Sequence, residues 1–237
     1  MNIAKRAPRW AFAAAAAFLL PNRAQAHGLL PASEPPALAE PEPRPPTSWL
    51  PERLKTRSRW SFQFGVGIIG DTTPADYLDA GFNALDGEGQ GLTYNFTVAY
   101  QFYEFDCRLG PLQLKPQLEA PFMLTLVDEN TGDLFPDFNL GVVLRWRDFP
   151  WNRFLYTTFA IGPGISYSTR VWEADRQRHP EDSDRSPWKF WMPVEITVAL
   201  PRFPQHQLVA FIDHQSGGRI FDFGGVDAWG FAYRCQF

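Results

Sequence analysis

Near the C-terminus, Phe211–Gly218 read FIDHQSGG, and the chain ends a few residues later in GVDAWGFAYRCQF. Serine, histidine and a carboxylate are the side chains of nucleophilic acyl transfer. The hydroxyl attacks a carbonyl, the imidazole takes its proton, and the acid orients the imidazole and stabilises its charged form. Here the candidates are Ser216 as nucleophile, His214 as general base and Asp227 as the acid, with Asp222 a rival in the intervening loop. The backbone N–H groups of Gly217 and Gly218 are candidates for an oxyanion hole, because a loop without side chains lets substrate approach the backbone. One geometric demand is clear. Residues i and i+2 of a strand lie roughly 6–7 Å apart, so His214 and Ser216 must lean together to share a proton. A His–x–Ser pair by itself is also ordinary surface decoration, and His27, His179 and His206 fall in linker, loop or turn and are assigned no role.

Strand parity sharpens the choice. In HQLVAFIDHQSGG, Leu208, Ala210, Ile212, His214 and Ser216 share one face, while Val209, Phe211, Asp213 and Gln215 share the other. The face with three apolar residues reads as a lipid side, and Asp213 with Gln215 suits a wet lumen. In the last segment Asp227 shares parity with Trp229, Phe231 and Tyr233. Three polar groups thus stand on an apolar face at one rim, an expensive place for a carboxylate unless it is paired.

The elements that position them are strands. Alternation recurs near residues 58–70, 91–102, 112–124, 136–146, 153–168, 188–200, 207–216 and 226–237, with Gly, Pro, Asp and Asn between. Each segment approaches the length that a tilted strand needs to cross a membrane. Long connections at 71–90, 125–135, 169–187 and 217–225 alternate with short ones at 103–111, 147–152 and 201–206. The fold class expected is all-β: an eight-stranded antiparallel transmembrane β-barrel of the bacterial outer membrane, with both ends in the periplasm. The charged connection 169–187, TRVWEADRQRHPEDSDRSP, reads as a solvated loop. Ser166, Ser168 and Thr169 read as rim residues, and Glu119, Asp137 and Glu195 as a lumen network with Lys115, Arg145 and Arg147.

Composition agrees with a barrel. Aromatics are 16% of the 237 residues, with 9 Trp and 21 Phe, while mean hydropathy is mildly negative. Apolar lipid faces, polar lumen faces and aromatic girdles give that balance. The net charge of −4, without a basic stripe, gives no footing for nucleic acid as a partner. A soluble lipocalin-like barrel shares the period-two strands. The terminal strand, with Trp229, Phe231, Tyr233 and Phe237 on one face, favours the membrane barrel and resembles the signal by which barrel-assembly machinery recognises its clients.

The N-terminus reads as an export signal over residues 1–26: Lys5, Arg6 and Arg9, then the short apolar run WAFAAAAAFLL, then small residues at AQA. An N-terminal membrane anchor is the alternative, disfavoured by the shortness of the run. Residues 27–57, rich in Pro, Glu and Ala, read as an extended linker, and 58–237 as the barrel. Cys107 and Cys235 both fall at the periplasmic end, where the oxidising compartment permits a bridge. No further Cys or His stands at metal-ligand spacing from them.

The segment HQSGG…GVDAWGFAYRCQF resembles the C-terminal signature of the outer-membrane lipid A 3-O-deacylases, the PagL-like acyloxyacyl hydrolases. The resemblance covers about the last 25 residues, and upstream only the architecture agrees. It implies an eight-stranded barrel with a lipid-facing His–x–Ser on the penultimate strand and an acid on the last. His214 and Ser216 match that motif, Asp227 stands in place of Glu, and Gly217 stands where Asn is usual. The implied substrate is the ester-linked 3-hydroxyacyl chain of lipid A, part of lipopolysaccharide in the outer leaflet, cleaved without metal or cofactor. HQSGGR also resembles the HQSNGR pattern of outer-membrane phospholipase A, which implies a phospholipid substrate, calcium and a homodimer. That family has twelve strands, a mid-chain motif and an Asn as third member. A non-catalytic structural or adhesive barrel is the third reading.

Overall fold

The computed structural model describes residues 59–71, 81–109, 112–178, 180 and 184–237. The expected signal (1–26) and linker (27–57) lie outside the described residues. In chain order the elements are β1 (Trp60–Gly70), β2 (Gly91–Glu104), β3 (Cys107–Leu109), β4 (Leu112–Leu114), β5 (Gln117–Glu129), β6 (Phe135–Gly141) and β7 (Val143–Trp146). They continue with β8 (Tyr156–Ile161), β9 (Gly164–Ser168), helix α1 (Glu173–Arg178), β10 (Trp188–Ala199), β11 (His206–Ser216) and β12 (Gly225–Gln236).

β6 with β7, and β8 with β9, are single staves interrupted once, so the sheet has eight staves, each antiparallel to its neighbours. β12 returns to pair with β1 from Ser61↔Gln236 to Gly70↔Asp227, which closes the ring. Closure satisfies every stave edge, the condition for a sheet surrounded by apolar material. No helix among the described residues is long and apolar enough to cross a membrane. The architecture is that of an outer-membrane β-barrel.

Alternation puts the two classes of side chain on opposite walls. In β1, Trp60, Phe62, Phe64 and Val66 point outward and are exposed, whereas Ser61 and Gln63 are buried. At eight staves the interior is just wide enough to be filled by side chains. Across its middle, Arg145 binds Glu119 (3.0 Å) and Glu195 (2.5 Å), and Arg234 binds Glu119 (2.9 Å). Arg234 thus takes the place expected for Lys115, and Arg147 pairs instead with Glu104 at the end of β2. Among the described residues no cation pairs with Asp137. Ser166, Asn139, Gln215 and Trp172 donate to it, so Ser166 points into the barrel, as does Ser168 at the end of β9.

One stave is displaced by five residues from the expectation, and two staves are interrupted. The third stave is β5 at Gln117–Glu129, later than 112–124, because the chain first forms the β3–β4 hairpin and Pro116 separates it from the stave. The interruption at Val142 sits opposite Pro163, whose carbonyl accepts from Val142 N–H at 3.0 Å. There the Trp191 ring occupies the space where side chains of Gly141 and Gly164 would project. Cys107 and Cys235 are free thiols.

Candidate active site

β11 and β12 form one hairpin, and their register sets His214 opposite Asp227 and Ser216 opposite Gly225. Directly opposed side chains on one face stand about 4.5–5.5 Å apart at Cβ, so a carboxylate as short as Asp reaches across. Asp227 Oδ1 lies 2.7 Å from His214 Nδ1. That leaves Nε2 as the ring nitrogen for a hydroxyl. Ser216 lies two residues along the same outward face, and no hydrogen bond joins it to His214 in this structure. Asp213 and Gln215 point into the lumen, where Asp213 accepts from Asn95 (3.1 Å) and Trp191 (3.2 Å).

Asp227 follows the outward parity of its strand, yet its side chain is only 1% exposed against 24% for His214. Its cover comes from the 169–187 connection. Arg178 Nη1 donates to Asp227 Oδ2 at 2.9 Å, and Nη2 donates to the Gly70 carbonyl at 2.5 Å. The expectation of a solvated loop is therefore corrected: Trp172, Ala174 and Asp175 are buried. Glu129, at the top of β5, accepts from the Glu173 and Ala174 N–H groups at 2.9 Å each and so holds the start of α1. Trp172 Nε1 donates to Ser168 and Asp137 inside the barrel. Gln177 donates to the Asp86 carbonyl and accepts from Gly89 N–H. Arg178 gave no signal in the sequence, because it lies 49 residues from its acid in a run of alternating charges. The Trp and Ala that flank this run were the only local sign of burial.

The rival acid is turned elsewhere. Asp222 accepts from Lys189 Nζ, Ser186 N–H (2.8 Å) and Gly224 N–H (3.0 Å). Burial pushes its carboxyl up, but these hydrogen bonds and the Lys189 charge outweigh burial and hold it below the ordinary aspartate value. Lys189 also binds Asp175 (2.8 Å), which in turn binds Arg185 (3.0 Å) and accepts from Gly225 N–H (2.8 Å). This cluster ties β10, the 169–187 connection and the start of β12 together beneath the β11–β12 turn.

The oxyanion candidates separate. Gly217 N–H donates to the Gly224 carbonyl at 2.9 Å, so its assignment to an oxyanion hole is corrected: the turn has already engaged it. A Cβ on Gly217 would lie 1.9 Å from Asp222 Oδ1, which explains why no Asn or other side chain stands there. Gly218, at φ +60°, has an N–H with no hydrogen bond among the described residues. Apolar walls flank the pair. Phe190, in register with Ser216, packs on Phe221 (5.0 Å between ring centres), and Trp229 packs on Phe82 (5.5 Å). Ile220 and Phe223 are exposed at the tip of the turn. Among the described residues no group of three or more His, Cys, Asp or Glu side chains is arranged to hold a metal ion.

Fold and site define a class: a small outer-membrane-type barrel whose polar constellation lies on its outer wall. The sequence matches no protein-family model and no curated protein. Among solved structures the chain is similar to the crystal structure of the outer membrane enzyme PagL, with a TM-score of 0.50, 10% identity, and coverage of 75% of this chain and 99% of that one. At that identity the likeness is one of fold.

Proposed function

We propose that the protein is an outer-membrane esterase of the PagL-like type, which removes an ester-linked acyl chain from lipid A. One observation carries this reading: the 2.7 Å contact of His214 Nδ1 with a buried Asp227, on the same outward face as Ser216. A carboxylate and an imidazole on a face otherwise made of Leu208, Ala210, Phe231 and Tyr233 are costly to desolvate, and catalysis on a lipid explains their retention there.

The chemistry follows from the positions. Ser216 Oγ attacks the ester carbonyl while His214 Nε2 takes its proton, and Asp227 stabilises the imidazolium. The Gly218 N–H is the donor for the oxyanion. Collapse of the tetrahedral intermediate breaks the ester C–O bond. His214 returns the proton to the departing alcohol, and water then cleaves the acyl-enzyme by the same route. The His214–Ser216 hydrogen bond forms when substrate brings the two side chains together, as catalytic contacts often tighten only in the complex. Phe190, Phe221 and the exposed Ile220 and Phe223 supply the apolar surface on which an acyl chain lies.

The test is mass spectrometry of lipid A from cells that express the wild type or Ser216→Ala. Loss of one hydroxyacyl chain in the wild type alone is the expected result. Unchanged lipid A with deacylated phospholipid would transfer the protein to the phospholipase reading. No change in either lipid would leave a structural barrel.

A further inference from the structure

We infer that Arg178 is a positioning residue for this site: it acts through Asp227, dividing the carboxylate so that one oxygen serves His214 and the other is permanently occupied. The inference rests on the esterase reading for its consequence in catalysis, and on geometry for its content. Asp227 is 1% exposed, and a general base must be neutral before it takes the serine proton, so in that state the pair alone would leave a buried charge without a counter-ion. Arg178 supplies that charge at 2.9 Å from Oδ2, while Oδ1 is at 2.7 Å from Nδ1. A carboxylate held on both oxygens cannot turn about its Cβ–Cγ bond, and the imidazole it grips is fixed in the tautomer that presents a bare Nε2 to serine.

The guanidinium is itself fixed. Its second nitrogen donates to the carbonyl of Gly70, the register partner of Asp227 on β1. Its backbone ends a helix whose first N–H groups bind Glu129. The other charged groups nearby are committed or remote in role. Asp175, Arg185, Lys189 and Asp222 engage one another, while Asp71 above β1 and Arg219 in the β11–β12 turn are exposed. Among the described residues Arg178 is the arginine or lysine that touches the proposed catalytic acid.

The test uses the full-length barrel in detergent or lipid, with its folded state checked by heat-dependent migration on gels. Ester turnover is measured for wild type, Arg178→Met, Arg178→Lys, Asp227→Ala and the Arg178→Met/Asp227→Ala double variant. Arg178→Met is expected to lower kcat by about tenfold to a hundredfold with little change in KM. Arg178→Lys is expected to recover part of that loss. In the Asp227→Ala background the Arg178 substitution is expected to cost nothing further, the mark of a residue that acts through the acid. Equal losses in both backgrounds would overturn the inference and leave Arg178 a strut of the loop. A second measurement stands apart from turnover: the strongly deshielded Nδ1 proton of a carboxylate-bound histidine, followed by NMR. Its loss in Arg178→Met and return in Arg178→Lys support the inference, whereas its persistence in Arg178→Met overturns it. Absence of Ser216-dependent turnover in the wild type counts against the esterase reading and leaves the NMR result to decide the role of Arg178.

Discussion

At the scale of single residues, one methylene and one hydrogen decide the site. Asp227 opposes His214 directly, so a short acid suffices to reach the ring. Asp227→Asn keeps the shape and loses the charge, and its amide presents a donor to the wrong ring nitrogen. Turnover is expected to fall by about 10⁴-fold with the barrel intact, measured as ester hydrolysis beside a gel-shift folding control. Gly217 has the opposite constraint, since a Cβ there collides with Asp222. Gly217→Asn is therefore expected to destabilise the turn by about 1–3 kcal/mol, seen as faster proteolysis between 217 and 224. Parity made half of this legible in sequence: HQSGG on an alternating strand already separates His214 and Ser216 from Asp213 and Gln215. The commitment of the Gly217 N–H to Gly224 was not legible, because it depends on how an eight-residue turn folds back on itself.

At the scale of elements, the 169–187 connection behaves as part of the barrel rather than as a tether. Its ties run to β5 through Glu129, to the lumen through Trp172 and to β12 through Asp175 and Arg178. The charges in WEADRQR look solvated in isolation, yet Asp175 is paired with Arg185 and Lys189, 10 and 14 residues on, and Arg178 with Asp227, 49 residues on. Asp222, in the neighbouring cluster, is acid-sensitive. Its carboxyl titrates lower when folded than when unfolded, so its stabilisation is present above the unfolded aspartate range and is lost as pH falls through the folded value. Proteolysis of the 217–224 turn should accelerate below about pH 4 in the wild type. Asp222→Asn should be cut faster at neutral pH and show a flatter acid response.

At the scale of the molecule, the lumen holds the ring in shape. Glu119 is gripped by Arg145 and Arg234 in the buried middle of the barrel. Glu119→Ala leaves two buried cations short of a partner and should destabilise the protein by about 3–5 kcal/mol, read from urea unfolding followed by tryptophan fluorescence. The eight staves and their inward polar faces were legible from alternation, whereas the expected order of long and short connections fails where 125–135 shrinks to 130–134 and 103–111 lengthens to 105–116 around the β3–β4 hairpin. The placement of Arg234, rather than Lys115, in the network was not, since it follows from the stagger of the closed ring.

The clasp that Arg178 makes at the top of the barrel has a consequence for the order of events in the cell. His214 and Asp227 belong to one hairpin and can meet as soon as that hairpin forms. Gly70 belongs to the first stave and reaches Asp227 only when the first and last staves join. A chain in transit, its ring still open, carries an acid whose support is half assembled. On the proposed esterase reading, turnover is therefore expected only once the ring has closed, a prediction checked by following ester hydrolysis alongside the gel-shift of the barrel as it folds into lipid.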